Sequence, residues 1–193
     1  MVQSTGFKKI KTAVFISGKG SNLKSLIKFS KTKNSPISID LIISDNPKAK
    51  GLKFANKFKI KKKIFRFKDK SHTEKKILLE IKKYKIHLIC LAGFMKILSK
   101  RFIKNFNGKI LNIHPSLLPK YKGLDTHQRA INNGESYSGC TVHFVNHKLD
   151  SGKIILQNKV KISKKETSKS LAKKILIQEH KIYPKAILKV FNL

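Results

Sequence analysis

The chain has few acidic residues, few arginines, two cysteines and no tryptophan. Only 10 aspartates and glutamates stand against 44 lysines and arginines, which gives a formal net charge of +34. Arginine occurs only at Arg66, Arg101 and Arg129, so nearly all of the positive charge is lysine. Proteins that read nucleic acid usually depend on the planar, bidentate guanidinium of arginine. The scarcity of arginine therefore favours a solvated lysine surface over a nucleic-acid site, although such a surface still attracts small anions.

The two cysteines and the short apolar runs exclude several further classes of protein. Cys90 and Cys140 match neither a C-x-x-C motif nor a metal-binding spacing, so we expect no disulfide framework and no metal site. Cys90 lies in an apolar segment and is expected to be a small core residue. No apolar run approaches the roughly 18 residues of a membrane span, and residues 13–16 are too few for the core of a signal peptide. We therefore expect a cytoplasmic protein.

Short apolar strands alternate with segments of helical spacing through the first two thirds of the chain. The predicted strands are 11–17, 37–44, 64–67, 86–91 and 110–113, and helices are predicted from about residue 21 and over 51–58, 74–84 and 99–105. After residue 119 we expect a helix over 126–133, two antiparallel strands over 139–145 and 153–160, a loop over 164–170 in which Thr167 can cap a helix, and a helix over 171–183 that ends or kinks near Pro184. The pattern predicts a single α/β domain over 1–193, Rossmann-like, with a mostly parallel twisted sheet, helices on both faces and an antiparallel C-terminal portion.

The most informative segment is L-N-I-H-P-S-L-L-P-K-Y, residues 111–121. Its strand ends in Asn112 and His114 and enters a loop that contains two prolines. Strand ends of this kind are where α/β proteins place their chemistry. Because side chains alternate along a strand, Asn112 and His114 point the same way and can converge on one carbonyl group. The alternative is a buried strand end whose polar side chains bond only to backbone.

A glycine-rich loop, G-K-G-S-N at residues 18–22, joins the first strand to the first helix. Glycines let the backbone approach a ligand closely, and a helix that begins near Ser21 directs free N–H groups at an anion. The string is neither G-x-G-x-x-G nor a P-loop. A phosphate cradle and a plain strand-to-helix turn therefore both remain open.

Several other residues allow both a functional and a purely structural interpretation. In a chain with so few acids, Asp150 and Glu179 stand out, but Asp150 also fits an ordinary D-x-G turn. His143 fits a satisfied histidine on a sheet, and Gln178 with Glu179 fits a solvent-facing turn of a helix. The segment M-K-I-L, residues 95–98, follows the strongest strand and fits either core packing or the wall of a pocket.

Together these strings resemble the folate-dependent formyltransferases over nearly the full chain. The resemblance rests on the string at 111–121, on a G-x-G-S-N-L motif that begins at Gly18, and on a D-x-G-x-I motif that begins at Asp150. The chain is most similar to the branch of the family that acts on 5'-phosphoribosylglycinamide. The resemblance implies formyl transfer from the co-substrate 10-formyltetrahydrofolate to that amine in de novo purine biosynthesis, in a monomer or homodimer, without a metal or a specific nucleic-acid partner.

The resemblance also implies a role for individual residues. The amine attacks the formyl group directly, Asn112 donates its amide to the formyl oxygen, His114 assists proton movement, and Asp150 orients His114 and favours its charged form. The implied substrate-binding residues are Gly20, Ser21, Asn22, Leu23, Lys24, Gln178 and Glu179. The implied folate-binding residues are Lys70, Met95, Lys96, Ile97, Leu98, Asn112 and His143. Some family members have histidine where this chain has Asp125, so no role is carried over to that position.

Two alternatives remain at this point. Another enzyme that uses 10-formyltetrahydrofolate, such as a deformylase, would share the central string, although that enzyme usually carries an added domain that 193 residues would not accommodate. A basic nucleic-acid-binding module on an α/β scaffold would instead bind oligonucleotides in a salt-sensitive way and would transfer no formyl group.

Overall fold

The first strand is buried on both of its faces. In a computed structural model, which describes residues 9–192, Ala13 and Phe15 of β1 (Ile10–Ile16) pack into one hydrophobic cluster and Val14 and Ile16 pack into another. All four side chains are fully buried. A strand that is apolar on both faces is typical of the centre of a parallel sheet that helices cover on both sides.

The strands of the described residues form one sheet. They are β1, β2 (Ile37–Ser44), β3 (Lys61–Ile64), β4 (Leu88–Leu91), β5 (Lys109–His114), β6 (Tyr137–Phe144) and β7 (Ile154–Lys161). Their order across the sheet is β3-β2-β1-β4-β5-β6-β7. The pairs from β3 to β5 are parallel, and β6 and β7 are antiparallel to their neighbours. The predicted α/β fold, with a mostly parallel sheet and an antiparallel C-terminal portion, is confirmed.

Helices cover both faces of the sheet, as predicted. They are α1 (Ser21–Ser30), α2 (Leu52–Lys57), α3 (Lys70–Lys83), α4 (Lys100–Asn105), α5 (Thr126–Asn132) and α6 (Ser168–Val190). Apolar residues of α1, α2 and α6 belong to the cluster on the Val14 side, and those of α3 and α4 belong to the cluster on the Phe15 side. The chain builds β2 and β3 on one side of β1 and then crosses to β4 on the other. Such a switch point leaves a crevice at the carboxyl ends of the strands.

The third strand is not where the sequence pattern predicted it. It was expected at 64–67, but β3 is Lys61–Ile64, and its three lysines pair in parallel register with residues 41–43 of β2. Phe65 and Phe67 follow the strand and pack against the Phe15 side of the core. The error arises because β3 lies at the edge of the sheet, where lysine is a common residue because it discourages further strand pairing.

The final helix continues past Pro184, where it was expected to end or kink. Proline has no backbone N–H, so it cannot donate to the carbonyl of His180, four residues earlier. The Ser25 hydroxyl of α1 donates to that carbonyl instead, at 3.1 Å. Beyond the proline, Ala186 and Ile187 are fully buried. The external donor and the continued packing sustain the helix to Val190.

Other predictions about the chain have mixed outcomes. Thr167 caps α6 as expected, in a capping box with Ser170. Both cysteines are buried free thiols, so Cys90 is the core residue that was predicted. None of the helices within 9–192 is long and apolar enough to cross a membrane. The single domain predicted over 1–193 stays a prediction, because residues 1–8 and residue 193 lie outside the described residues.

Candidate active site

A cavity of about 870 Å³ opens at the carboxyl ends of β4 and β5, beside Asn22 at the start of α1. This is the crevice that the strand order creates. Ten residues that the sequence singled out line it: Asn22, Met95, Lys96, Ile97, Leu98, Asn112, His114, His143, Asp150 and Glu179. Residues far apart in the chain therefore meet in one concave site.

Asp150 is the centre of a buried polar cluster. Its Oδ2 lies 3.4 Å from Nδ1 of His114 and accepts a hydrogen bond from the backbone N–H of Gly123 at 2.9 Å. Its Oδ1 lies 3.4 Å from Nδ2 of Asn112. The backbone of Asp150 has a positive φ of 43°, which is uncommon for a residue other than glycine. The turn thus directs one carboxylate at both polar side chains of the strand end.

His143 lies beside Asn112 because the two residues are paired across β5 and β6. Its Nδ1 is 2.8 Å from the carbonyl oxygen of Phe144, which only accepts, so Nδ1 carries a proton. Burial lowers the pKa of His143, which favours the neutral ring. The Nε2 atom then has a lone pair and accepts from Nδ2 of Asn112 at 3.2 Å. The tautomer of His143 therefore fixes the orientation of the Asn112 amide, with its NH2 group toward His143 and Asp150.

Both ring nitrogens of His114 face oxygen atoms. Nδ1 faces Asp150, and Nε2 lies 2.9 Å from the carbonyl oxygen of Tyr121 in the loop that follows β5. The side chains of His114 and Asp150 are only 6% and 8% exposed. The imidazole is therefore held at both ends on the wall of the cavity.

A second buried polar pair joins the start of α1 to α6. Nδ2 of Asn22 donates to Oε2 of Glu179 at 2.6 Å, and both residues line the cavity. Burial raises the pKa of Glu179, and the hydrogen bond from Asn22 opposes that shift. Oδ1 of Asn22 is buried without a hydrogen-bond partner among the described residues. A buried acceptor without a partner is the kind of group that a ligand satisfies.

The opposite wall is the segment that follows β4. Gly93 has a positive φ of 74°, its carbonyl accepts from the N–H of Ser17, and the Ser17 hydroxyl accepts from the N–H of Met95. These contacts tie the segment to the end of β1. Met95 and Ile97 nevertheless remain largely exposed. The ammonium of Lys96 is 4.0 Å from a carboxylate oxygen of Asp45, which holds its charge near the end of β2.

Six predicted site residues are not among the described residues that line this cavity: Gly20, Ser21, Leu23, Lys24, Lys70 and Gln178. The first four are at the start of α1, next to Asn22; Leu23 is a core residue there and Lys24 is exposed. Lys70 begins α3 and lines a different cavity of about 340 Å³. Gln178 lies on α6 and accepts from the side chain of Asn158 at 3.3 Å. The structure therefore separates Lys70 and Gln178 from the polar cluster.

Several residues of the cavity were not predicted from the sequence. Leu124, Asp125, Thr126 and His127 line it where the loop after β5 enters α5, and Ser168 lines it from the start of α6. Burial lowers the pKa of His127, as does the nearby His114 to a smaller extent. A T-H pair that begins five residues after the central string was the available signal. Whether this pair reaches the cavity depends on how the loop folds back onto it. The spacing of residues along the sequence does not encode that fold.

The polar cluster offers a hydrogen-bond donor and a proton carrier to a carbonyl group. Within residues 9–192, no group of three His, Cys, Asp or Glu side chains is arranged to hold a metal. The amide of Asn112 is a donor, the His114 imidazole is a proton carrier, and the Asp150 carboxylate orients both. Such a set suits acyl transfer in which the attacking nucleophile comes from the substrate.

Comparisons with known proteins agree with this chemistry. The sequence profile of a family described as formyl transferase matches residues 10–187. The chain is 42% identical over 183 residues to the trifunctional purine biosynthetic protein adenosine-3 of Homo sapiens, which covers 93% of this chain but only 18% of that protein. It is 42% identical over 180 residues to phosphoribosylglycinamide formyltransferase of Haemophilus influenzae, covering 92% of this chain and 85% of that protein.

A solved structure extends the likeness to the fold. The crystal structure of phosphoribosylglycinamide formyltransferase from Brucella melitensis superposes with a TM-score of 0.90 at 42% identity, covering 95% of this chain and 96% of that one. The family profile spans nearly all of the described residues, and the shared fold includes the sheet that builds the cavity. The chain therefore belongs to the formyl transferase family.

Proposed function

We propose that the chain transfers the formyl group of 10-formyltetrahydrofolate to the amine of 5'-phosphoribosylglycinamide in de novo purine biosynthesis. The observation that carries the proposal is the meeting of Asn112, His114 and Asp150 at the end of β5, inside the cavity of about 870 Å³. The names of the full-length relatives, which cover most of this chain, support the choice of substrate.

In this proposal the substrate amine is the nucleophile. It attacks the formyl carbon, the C=O bond becomes a C–O⁻ bond, and the developing charge needs a donor. Nδ2 of Asn112 would supply that donor: the lone pair on Nε2 of His143 holds one of its two hydrogens, and the other, which makes the longer 3.4 Å contact with Asp150, would turn to the developing oxyanion. A preorganised donor in a site with little water stabilises such charge without reorganising.

Two protons must also move. The amine loses a proton as the new C–N bond forms, and the folate nitrogen gains one as its bond to the formyl carbon breaks. His114 is the group placed to carry a proton between them, and Asp150, 3.4 Å away, orients its ring. The buried thiols of Cys90 and Cys140 take no part, because burial raises the pKa of each to about 12.

The amine substrate would lie along the start of α1 and reach α6. Gly20, at the N-cap of α1, has a left-handed backbone, and within the described residues no side chain caps this helix end. The N–H groups of Ser21, Asn22 and Leu23 and the ammonium of Lys24 would hold the ribose phosphate. Glu179 and the unpartnered Oδ1 of Asn22 would receive polar hydrogens of the glycinamide group, and Gln178 would complete this end from the next position on α6.

The folate would lie on the wall that follows β4. The exposed side chains of Met95 and Ile97, with Leu98, offer apolar contact to a flat heterocycle, and the ammonium of Lys96 offers charge to the glutamate. His143 and Asn112 bound the same space from the strand side. Lys70 lies at the second cavity, so a folate tail would have to extend past this wall to reach it.

The decisive assay combines purified protein with 10-formyltetrahydrofolate and 5'-phosphoribosylglycinamide and follows the folate chromophore. We expect turnover only when both substrates are present, and a formylated amine as product. Release of formate without the amine would instead identify a deformylase. No turnover, together with tight oligonucleotide binding that falls steeply with salt, would identify a nucleic-acid-binding module.

The lysine surface allows a further check. The field of a strongly positive protein speeds the capture of two anionic substrates more than it affects the chemical step. Raising the salt concentration should therefore lower kcat/KM more than kcat. We also propose that the protein is cytoplasmic, acts as a monomer or homodimer, and has no specific nucleic-acid partner.

A further inference from the structure

The loop that follows β5 controls one end of the His114 ring. The carbonyl oxygen of Tyr121 lies 2.9 Å from Nε2 of His114. A carbonyl oxygen only accepts hydrogen bonds, so this contact places a proton on Nε2 and fixes the ring from the side opposite Asp150. The direction of one backbone carbonyl therefore helps to decide how His114 presents its protons to the reaction.

That carbonyl is held in an uncommon backbone conformation. Tyr121 has a φ of 56°, in the left-handed region that residues with a Cβ seldom adopt. Such a conformation persists only where the surroundings impose it. On the chain before Tyr121, the hydroxyl of Ser116 donates to the carbonyl of Lys120 at 2.7 Å. On the chain after it, the N–H of Gly123 donates to Asp150.

The side chain of Tyr121 is anchored outside the polar cluster. Its hydroxyl donates to Oε1 of Glu135 at 2.8 Å, and the side chain of Asn133 donates to the same hydroxyl at 3.0 Å. The ammonium of Lys120 also contacts Oε1 of Glu135, at 2.8 Å. The guanidinium of Arg129 lies 5.3 Å from the centre of the Tyr121 ring. One carboxylate thus holds two consecutive residues of the loop.

Glu135 is charged under assay conditions. The hydrogen bond from Lys120 lowers the pKa of its carboxyl group most, and the one from Tyr121 adds to this. Its side chain is 24% exposed, and it is not among the described residues that line the cavity. Glu135, one of only ten acidic residues in the chain, therefore holds the loop and does not face a ligand in the cavity.

We propose that Glu135 is a positioning residue for the reaction at His114. Through the Tyr121 hydroxyl it fixes the Tyr121 backbone, and the Tyr121 carbonyl fixes Nε2 of His114. The catalytic role of Glu135 rests on the proposed formyl transfer. The link between Glu135 and the His114 ring rests only on the contacts described above.

The first test is kinetic. In Glu135→Ala and in Tyr121→Phe we expect kcat to fall about tenfold, the scale of a lost hydrogen bond to a charged group, while both KM values change less than about twofold. Because the two residues act through one contact, the double variant should lose little more than either single variant. Glu135→Gln keeps an oxygen that accepts from Tyr121 and should restore most of kcat.

The matched control is Glu80→Ala. Glu80 also pairs with a lysine, Lys63, at 3.0 Å, and its side chain is 21% exposed, close to the exposure of Glu135. It lies on α3, on the other face of the sheet. Glu80→Ala should leave kcat unchanged. An equal fall of kcat in both alanine variants, or fully additive losses in the double variant, would overturn the proposal.

The second test needs no turnover. In protein labelled with ¹⁵N-histidine, the Nε2–H proton of His114 should give a protected NMR signal that persists in Glu80→Ala and Glu135→Gln. The signal should broaden or disappear in Glu135→Ala. A signal that is unchanged in Glu135→Ala would overturn the proposal even if the enzyme is active. A missing formyl-transfer activity with the expected NMR result would instead contradict only the proposed function.

Discussion

The two walls of the cavity reverse the usual distribution of polar and apolar residues. On the wall formed by the ends of β5 and β6, the polar side chains of His114 and Asp150 are almost completely buried. On the wall that follows β4, the apolar side chains of Met95 and Ile97 are 61% and 56% exposed. Soluble proteins ordinarily bury apolar groups and expose charged ones.

The reason for the reversal differs between the walls. The polar groups of the first wall are satisfied by one another and by backbone, so the protein itself holds them in position. The apolar groups of the second wall lack a counterpart within the described chain, so a ligand is needed to cover them. Changes in the first wall should therefore alter turnover, and changes in the second should alter binding.

The largest expected effect is in the polar wall. We expect His114→Ala and Asp150→Asn each to lower kcat by about 100-fold or more, the usual scale for loss of general acid–base catalysis, with smaller changes in KM. The measurement is steady-state kinetics with circular dichroism as a check on folding. His87→Ala, an exposed histidine that precedes β4 at the opposite end of the sheet, should behave as wild type. Near-normal kcat in His114→Ala or in Asp150→Asn would remove the substituted residue from the mechanism.

A smaller effect is expected at the start of α1, which belongs to neither of the two walls. Lys24→Ala should raise KM for the ribonucleotide several-fold and leave KM for the folate unchanged, because a phosphate contact at an exposed site contributes to one substrate only. Lys28→Ala, one turn further along the same helix and also exposed, is the matched control. An equal rise in both KM values, or the same result with Lys28→Ala, would place the phosphate elsewhere.

The apolar wall should give a modest effect that is confined to folate binding. Truncation of Met95 to alanine removes apolar surface that a bound folate would cover, at about 0.8 kcal/mol per methylene group, so KM for the folate should rise several-fold. The thermal midpoint should not change, because the side chain is exposed without ligand. Leu79→Ala, on α3 with 68% exposure, should change neither quantity. A fall of the thermal midpoint without a change in KM would mean that Met95 is a packing residue.

The smallest effect is on stability and concerns the neutral state of His143. Burial lowers its folded pKa below the ordinary 6.5, so the unfolded chain binds this proton at higher pH than the folded one. The stability that comes from the neutral ring is complete above about pH 6.5 and decreases as the pH falls through that value. His143→Gln should therefore flatten the change in urea midpoint between about pH 7.5 and 5.5 relative to wild type. An unchanged slope in His143→Gln would show that the ring is not held neutral.

Local geometry explains what could be predicted from the sequence. Asn112 and His114 both contact Asp150, because alternation along a strand is a property of the strand itself. The cap at Thr167 and the start of α1 are likewise set by adjacent residues. Features of this kind depend on a few neighbours in the chain, so their spacing is a reliable signal.

Contacts between distant segments explain what could not be predicted. The position of β3 depends on its register with β2, and the persistence of α6 through Pro184 depends on a hydroxyl from α1. The position of Asp150 beneath the strand end depends on a turn with positive φ and on its bond to Gly123. No spacing within a segment encodes such partners.

The contact between Gly20 and Gly51 limits how the sequence can drift. A Cβ atom on Gly20 would lie 2.7 Å from the Cα of Gly51, and one on Gly51 would lie 2.9 Å from the Cα of Gly20. Neither position has room for a side chain, and changing both would worsen the clash. Lysine, asparagine, isoleucine and phenylalanine, which are abundant in this chain, all have A/T-rich codons. Glycine codons begin with two G bases, so at these two sites a drift toward A/T-rich codons would run against the geometry of the protein.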